Sequence, residues 1–403
     1  MGSLDKIIYY LLILVFALFS ILKNNSIGYV VLAVVILLLF FVGVIRNGSV
    51  VLLSKNSFFK FLFVFVLICL LSNLWTLDSE LTWNASFSLL RTWVFLNILY
   101  ISMINQKTCN LFRIIMWGGA LFIVYIISTI GIVEIVILTR TETRFGGEVV
   151  NANMFGMTGA VVSVICYSSI LYKGISKDII AGLLGIIVVF ITGSRKALVM
   201  LIFGLFMVFL FKRKIYNYFS FTIKIICGIS VAAALLYFLF TLPVFSLYAQ
   251  RFSELLALLN DSGELTHADW ERKVMIEVGW EQFLATPFTG IGLDCGRILS
   301  EAATGYFYYL HNNYIELLAD VGIFGFISYY FIYFYFAKKI IPLHKYWTTE
   351  TRLSVVLMSM YLLADWGYVS YYHKEVLFVI MICYKTMADT QAIAKSQLSY
   401  NNM

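Results

Sequence analysis

Apolar stretches of about 20 residues recur along the whole chain, and they limit its possible folds more than any other feature. As a helix, each is long enough to cross a bilayer core of about 30 Å. Hydrophobic residues make up 61% of the chain and charged residues 13%, against about half and about a quarter in soluble domains. A membrane β-barrel would show alternating strands of about ten residues instead. The sequence predicts an all-α polytopic membrane protein, one integral membrane domain over 1–403 without a large soluble domain.

The apolar pattern predicts about twelve transmembrane helices, with boundaries good to a few residues. The first run has only Lys6 before it and no small-residue cleavage site after it, so we expect a permanent span and no cleaved signal peptide. Only three prolines occur, so most spans should be continuous helices. The predicted spans are 7–22, 27–45, 58–75, 87–104, 111–138, 152–172, 179–193, 196–211, 217–245, 314–337, 353–371 and 375–391.

The distribution of basic residues predicts the orientation. With the N-terminus inside, most of the 29 Lys and Arg lie in inner loops, which is the positive-inside bias. The even number of spans then places both termini in the cytoplasm. The net charge of +7 is read as this topology signal, and no nucleic-acid partner is expected.

A large outer loop is predicted at 246–313, between the ninth and tenth spans, and it is far longer than most connections. Its segment 268–285 has the pattern of an amphipathic helix, with Trp270, Val274 and Val278 on one face. Such a helix would lie in the membrane interface or cap a cavity.

Three predicted outer segments contain an arginine, namely Arg144, Arg195 and Arg272. The guanidinium group binds phosphate oxygens in a planar, bidentate way that lysine cannot copy. The turn TGSRKA (192–197) places Arg195 at the start of a helix, where the helix dipole would add positive potential. The alternative for each arginine is a headgroup contact or a snorkelling surface side chain.

Arg91 lies about two turns inside the fourth predicted span, where an unpaired charge is costly. Two interpretations remain open for it. It could form a buried tie between helices, with Glu134 as its partner, or it could contribute to a polar substrate cavity.

The stretch YLHNNYIELLADVGIFGF (309–326) places polar residues at the start of a span. His311 can accept a proton near neutral pH, although a structural role is the alternative. Asn312, Glu316 and Asp320 are four residues apart and share one helix face, which we expect to line a water-filled cavity. Gly322 and Gly325 are expected to allow close helix packing.

Four segments in a fixed order carry a family resemblance: RFGGEVVNANMFG (144–156), TGSRKALV (192–199), ERKVMIEVGWEQFLATPFTGIG (271–292) and HNNYIELLADVGIFGF (311–326). Together with the predicted span layout and the long outer loop, they resemble the O-antigen polymerase and O-antigen ligase superfamily of bacterial envelope enzymes. The resemblance covers roughly 140–330 and rests on hydropathy alone before that.

The resemblance implies a GT-C-type glycosyltransferase with its active site on the outer face of the bacterial inner (plasma) membrane. The donor would be a glycan on undecaprenyl diphosphate, transferred to an acceptor hydroxyl with inversion and without a metal or cofactor. The diphosphate would be bound first by Arg272 and Arg195, then by Arg144, and His311 would be the catalytic base. Further contacts to the cavity or acceptor are expected from Arg91, Asn153, Asn312, Tyr314 and Glu316.

Two activities fit this family, and a third reading lies outside it. A polymerase joins lipid-linked repeat units, and the full Gly-x-Gly turn and HNNYIELLADVG favour it; a chain-length regulator is then an expected partner, beside membrane lipid. A ligase would instead deliver the glycan to lipid A-core. A lipid-linked oligosaccharide transporter would show repeated halves and interrupted helices near the midplane, and neither is apparent in the sequence.

Overall fold

The computed structural model describes residues 3–21, 26–47, 56–131, 150–212 and 267–401. These ranges form helices and connecting turns, with no strand among them. Short 3-10 helices follow α3 at Ser72–Leu74 and α11 at Ile341–Tyr346. The α-helices are α1 (Ser3–Ile21), α2 (Ser26–Asn47), α3 (Ser57–Leu71), α4 (Ser79–Met103), α5 (Thr108–Ile130), α6 (Ala152–Lys173), α7 (Ile179–Ile191), α8 (Arg195–Lys212), α9 (His267–Ala285), α10 (Gly296–Thr304), α11 (Asn313–Ile340), α12 (Thr349–Ala364) and α13 (Lys374–Asn401).

Six helical segments in the described ranges are long and apolar enough to cross a membrane. The all-helical structure with several candidate spans agrees with a polytopic membrane protein. The number of twelve spans stays a prediction, because 217–245 and the end of 111–138 lie outside the described residues. The six segments are Ser57–Leu74, Ser79–Met103, Thr108–Ile130, Ala152–Lys173, Asn313–Tyr346 and Lys374–Ser399.

The chain divides into two compact units, Met1–Gly118 with Thr266–Met403, and Gly119–Leu265. In the first unit, α3 packs against α4 and α11, while α12 packs against α13. Aromatic rings fill the space between α3 and α11, with the ring centroids of Phe65 and Tyr329 5.2 Å apart. This core contacts α11, the helix that begins within the histidine motif (311–326).

In the second unit, α6 packs closely against α7 through small residues. A Cβ on Gly159 would overlap or crowd the backbone of Gly185, and a Cβ on Gly182 would overlap Cys166. Ser163 in α6 donates its hydroxyl to the carbonyl of Gly182 over 3.1 Å. Small residues allow membrane helices to approach this closely, which gives α6 and α7 a fixed register.

Two predicted spans differ from the helices observed. The predicted span 353–371 ends as α12 at Ala364, and the next residue, Asp365, is buried and accepts a hydrogen bond from the Tyr330 hydroxyl over 2.9 Å. The predicted continuous span 314–337 contains a break at Gly322, where φ is 63° and ψ is −169°. A glycine makes this break without any proline, since only glycine readily adopts that backbone conformation.

Candidate functional site

Helix α9 is the helix predicted at 268–285, and it buries only part of the face that the sequence predicts. Met275 is buried with Leu310 and Ala319, and Val278 packs against this cluster. Trp270 remains 44% exposed and Leu284 61% exposed. The helix turns Met275 and Val278 inward because Gly279 lets it approach Leu310 and Ile315 without a side chain between them. This contact holds α9 against the histidine motif.

The glycine-rich turn that follows α9 (286–295) packs against α11 at its break and forms hydrogen bonds with the backbone there. Ile291 donates its backbone N–H to the carbonyl of Ala319 over 3.1 Å, and Gly292 donates to that of Asp320 over 2.8 Å. The N–H of Ile323 donates back to the carbonyl of Pro287 over 2.8 Å. The turn thus replaces the helical hydrogen bonds that Gly322 interrupts. Gly322 was predicted to allow close packing between helices; instead it allows close approach of this turn, since a Cβ there would overlap the carbonyl of Phe288.

The acidic residues of α11 fix this turn and the histidine segment. Asp320 accepts hydrogen bonds from the backbone N–H groups of Asp294 and Gly296, each over 2.7 Å. Glu316 accepts one from the backbone N–H of Leu310. Both carboxylates are fully buried. The shared face therefore meets protein backbone, and the prediction that it lines a water-filled cavity is corrected.

Two other residues of the motif, Asn312 and Tyr314, form hydrogen bonds within the protein. Asn312 is buried, and its Oδ1 caps α11 by accepting the N–H groups of Tyr314 and Ile315. Tyr314 donates its hydroxyl to the carbonyl of Leu362 over 2.7 Å and stacks on Tyr330, with ring centroids 4.8 Å apart. These contacts cap and pack α11, and the predicted contacts of Asn312 and Tyr314 with an acceptor stay predictions.

His311 is half-buried and lies between two anchored neighbours. Glu316 holds the N–H of Leu310 before it, and Asn312 begins α11 after it. The backbone of His311 is left-handed, with φ at 59°, a conformation that histidine tolerates better than most residues. Its imidazole lies 4.4 Å from the ring of Tyr309, measured between centroids. The fold thus presents one imidazole at the start of α11 in a fixed position.

Arg297, on the first turn of α10, was missed in the sequence. Its Nε donates to Oδ1 of Asp294 over 2.7 Å. Its Cζ lies 6.0 Å from the ring centroid of Tyr309, the same ring that contacts His311. A signal was present, because GLDCGR continues directly from the Gly-x-Gly turn and places another arginine in the predicted outer loop. The spacing of three residues to Asp294 also fits an ion pair.

Burial and the ion pair act in opposite directions on these two charges. Burial raises the pKa of Asp294 above its ordinary value, and Arg297 only partly offsets this. Burial alone would lower the pKa of Arg297, but Asp294, with smaller contributions from Tyr372 and Glu316, outweighs it, so the net pKa lies above the ordinary value. Arg297 is therefore a permanent cation, held by a carboxylate whose own ionisation depends on this contact.

Arg272 lies on α9 in the same unit. Its Nη1 forms a 2.8 Å ion pair with Oδ1 of Asp269, one helical turn earlier. The side chain remains partly exposed, so its outer donors can reach a ligand. Its predicted role in binding a diphosphate stays a prediction.

The second unit brings two of the predicted motifs together. Arg195 is the first residue of α8, as its turn predicts. Asn153, near the start of α6, accepts a hydrogen bond from the Ser194 hydroxyl over 2.9 Å. This bond links the segment 151–153, at the start of α6, with the turn 192–195, at the start of α8. Arg144 lies outside the described residues.

Arg91 is exposed on the surface of α4 in the structure. Its proposed partner Glu134 lies outside the described residues, so neither interpretation of this charge is tested. Within the described ranges, no three His, Cys, Asp or Glu side chains are grouped so that they could hold a metal ion.

Comparison with known families agrees with this assignment of motifs. Residues 180–330 match the family model described as O-antigen ligase. The match includes TGSRKALV, α9, the glycine-rich turn and the histidine motif, and it confirms the resemblance to the O-antigen polymerase and ligase superfamily for this segment. No curated protein matches the chain.

Proposed function

We propose that this chain, with its O-antigen ligase domain at 180–330, transfers a glycan from a lipid diphosphate to an acceptor hydroxyl. The observation that supports this most directly is the row formed by Asp294, Arg297, Tyr309 and His311. It places a permanent cation and an imidazole near the same aromatic ring. A glycosyl transfer with a diphosphate leaving group needs these two kinds of group.

In the proposed step, His311 accepts the proton of the acceptor hydroxyl as its oxygen attacks the anomeric carbon. The new carbon–oxygen bond forms on one face while the bond to the diphosphate oxygen breaks on the other, which inverts the configuration. The electron pair of the broken bond leaves with the lipid diphosphate. The proton stays on the imidazole until solvent or the leaving group takes it.

Arginines stabilise the leaving group in this proposal. Negative charge grows on the bridging oxygen as the bond breaks, and preorganised guanidinium donors lower the energy of that state. Arg272 is partly exposed and lies on α9, which packs against α11. Arg195, at the start of α8, and Arg144 are assigned the same role, which rests on the family resemblance.

Within this family, we propose that the chain is a polymerase of undecaprenyl-diphosphate-linked repeat units. The complete Gly-x-Gly turn favours a polymerase, and the structure gives that turn a defined place against α11. The alternative is a ligase that delivers the glycan to lipid A-core, and the family match supports it equally. Both reactions use the same attack by a hydroxyl, so the acceptor alone separates them.

The break at Gly322 is a feature that transporters also show. In transporters, such breaks expose backbone groups to a substrate. Here the carbonyls of Ala319 and Asp320 are already bonded to the glycine-rich turn. The break therefore supports a fixed catalytic loop better than a transport path. We further propose that the site faces the outer side of the inner membrane, with both termini cytoplasmic and a chain-length regulator as partner.

The test uses purified full-length protein and one substrate, the undecaprenyl-diphosphate repeat unit, without lipid A-core. His311→Asn is the matched variant, because asparagine tolerates the left-handed backbone but is not a base. A ladder of longer glycans that the variant cannot make supports the polymerase. A ladder made equally well by folded His311→Asn would remove the histidine from the mechanism. If folded parent protein makes no ladder but transfers glycan once lipid A-core is added, the ligase is correct.

A further inference from the structure

We infer that Arg297 is a binding residue for the phosphate groups of the lipid diphosphate, beside His311. This inference rests on the proposed function and adds a residue that none of the four family-like segments contains. Arg297 lies in the stretch between the glycine-rich turn and the histidine motif, in which the sequence analysis named no site residue.

The orientation of the guanidinium group is the first argument. Among the described residues, the only side-chain hydrogen bond of Arg297 is the one from Nε to Asp294. The side chain is 23% exposed, so the two terminal nitrogens are neither bonded to described residues nor fully enclosed. A guanidinium fixed at Nε and open at its outer edge offers four N–H donors to an anion.

The rigidity of this arginine is the second argument. Asp294 holds its Nε, and the backbone of Asp294 is in turn fixed by the buried carboxylate of Asp320. Asp320 also binds the N–H of Gly296, the residue before Arg297. The arginine is thus preorganised from both its side chain and its backbone, and little rotamer entropy is lost when a ligand binds.

The distance to the imidazole is the third argument. Both groups lie near the ring of Tyr309, whose centroid is 6.0 Å from the Arg297 Cζ and 4.4 Å from the centroid of the His311 ring. A sugar diphosphate has its phosphates next to the anomeric carbon, so its anionic end and its reacting end need partners a few ångströms apart. Arg297 and His311 provide that pair from one short segment of the chain.

The test measures binding of undecaprenyl diphosphate to full-length protein in neutral phosphatidylcholine nanodiscs. We expect Arg297→Gln to weaken binding by about 10- to 100-fold, the usual effect of losing charge-assisted hydrogen bonds. Lys273→Gln is the control, because it removes one positive charge from a side chain of α9 that is 61% exposed. This variant should bind undecaprenyl diphosphate like the parent. Equal affinities for the parent and folded Arg297→Gln would overturn the inference.

Asp294→Asn separates phosphate binding from a purely structural ion pair. Asparagine tolerates the left-handed backbone of Asp294, where φ is 68°, and leaves the positive charge of Arg297 in place. We expect this variant to lose less affinity for undecaprenyl diphosphate than Arg297→Gln, since the cation remains and the asparagine oxygen can still accept from Nε. If Asp294→Asn loses as much affinity as Arg297→Gln, the ion pair is structural and the inference is wrong.

Two further results separate a lipid headgroup from the diphosphate as the ligand, and a failure of the proposed function from a failure of the role of Arg297. Native mass spectrometry of the protein in phosphatidylglycerol nanodiscs counts the phosphatidylglycerol molecules that stay bound. If Arg297→Gln retains fewer of them but binds undecaprenyl diphosphate like the parent, Arg297 binds bilayer headgroups and the inference is wrong. If the parent protein does not bind undecaprenyl diphosphate, the proposed function fails as well. If the parent binds it and makes glycan ladders, but Arg297→Gln binds equally, only the role of Arg297 fails.

Discussion

Replacing Asp320 by asparagine should loosen the glycine-rich turn and leave the membrane helices in place. In the structure, one carboxylate accepts the N–H groups of Asp294 and Gly296, each over 2.7 Å, in a fully buried position. Asparagine has one acceptor oxygen, so one of these N–H groups must face the amide nitrogen of the new side chain. Hydrogen bonds to charged groups contribute about 1.5–3 kcal/mol each, and this is the expected loss.

The thiol of Cys295 reports this opening directly. Cys295 lies between the two bonded residues and is fully buried, with its Sγ 3.3 Å from the Thr76 hydroxyl. If the turn must open before the thiol can react, the lost hydrogen-bond energy raises the rate of maleimide labelling by about 10- to 100-fold. Labelling is read at the peptide that contains Cys295 by mass spectrometry, because the chain has other free cysteines.

Glu277→Gln is the matched control, since it makes the same chemical change on an exposed side chain of α9. If Asp320 lined a water-filled cavity instead, water would replace the lost acceptor and Cys295 would label at the parent rate. Labelling of Asp320→Asn no faster than that of Glu277→Gln would therefore refute the anchoring role.

Four further predictions concern the same region. His311→Asn should lower glycosyl transfer by about 10²- to 10⁴-fold without lowering the melting temperature, as measured with the repeat-unit substrate; normal turnover would remove its role as the base. Arg272→Lys should lower kcat/KM by about tenfold, since lysine cannot bind phosphate oxygens in a bidentate way, and parent-like kinetics would contradict this. Gly322→Ala should speed Cys295 labelling far more than Gly305→Ala, because both glycines have a positive φ but only a Cβ at Gly322 meets a carbonyl, and equal rates would contradict it. Burial raises the pKa of Asp294 above 3.8, so the native state binds more protons than the unfolded state between 3.8 and that raised pKa. Stability should fall as pH rises through this window, and the melting temperature of Asp294→Asn should lose that slope.

Local patterns in the sequence predicted local structure well. Where a predicted span lies among the described residues, the structure has a helix over most of it. The turn before Arg195 predicted a helix that starts there, and α8 does start at that residue. The segment 268–285 was predicted as a helix, and α9 differs from it by one residue at the start. Spacing also placed Glu316 and Asp320 on one face, and both accept backbone N–H groups from the segment that precedes α11, Glu316 from Leu310 and Asp320 from Gly296.

The partners of those faces could not be predicted, because they come from distant parts of the chain. Two acids on a membrane helix can face water or a folded loop, and their spacing is the same in both cases. The choice depends on the glycines at 290 and 292, which let the turn reach the carbonyl of Asp320. Arg297 was missed for the same reason, since its importance comes from its distance to Tyr309, and Tyr309 belongs to another segment.

The break at Gly322 also has a consequence for how the chain enters the membrane during synthesis. It lies about 14 Å along α11 from its first residue, so its freed carbonyls would face lipid during insertion unless something binds them. The groups that bind them are on the turn 286–295, which precedes α11 and leaves the ribosome first. A substitution that damages this turn should therefore reduce the amount of protein inserted in the membrane, even if the few molecules that do insert are fully active.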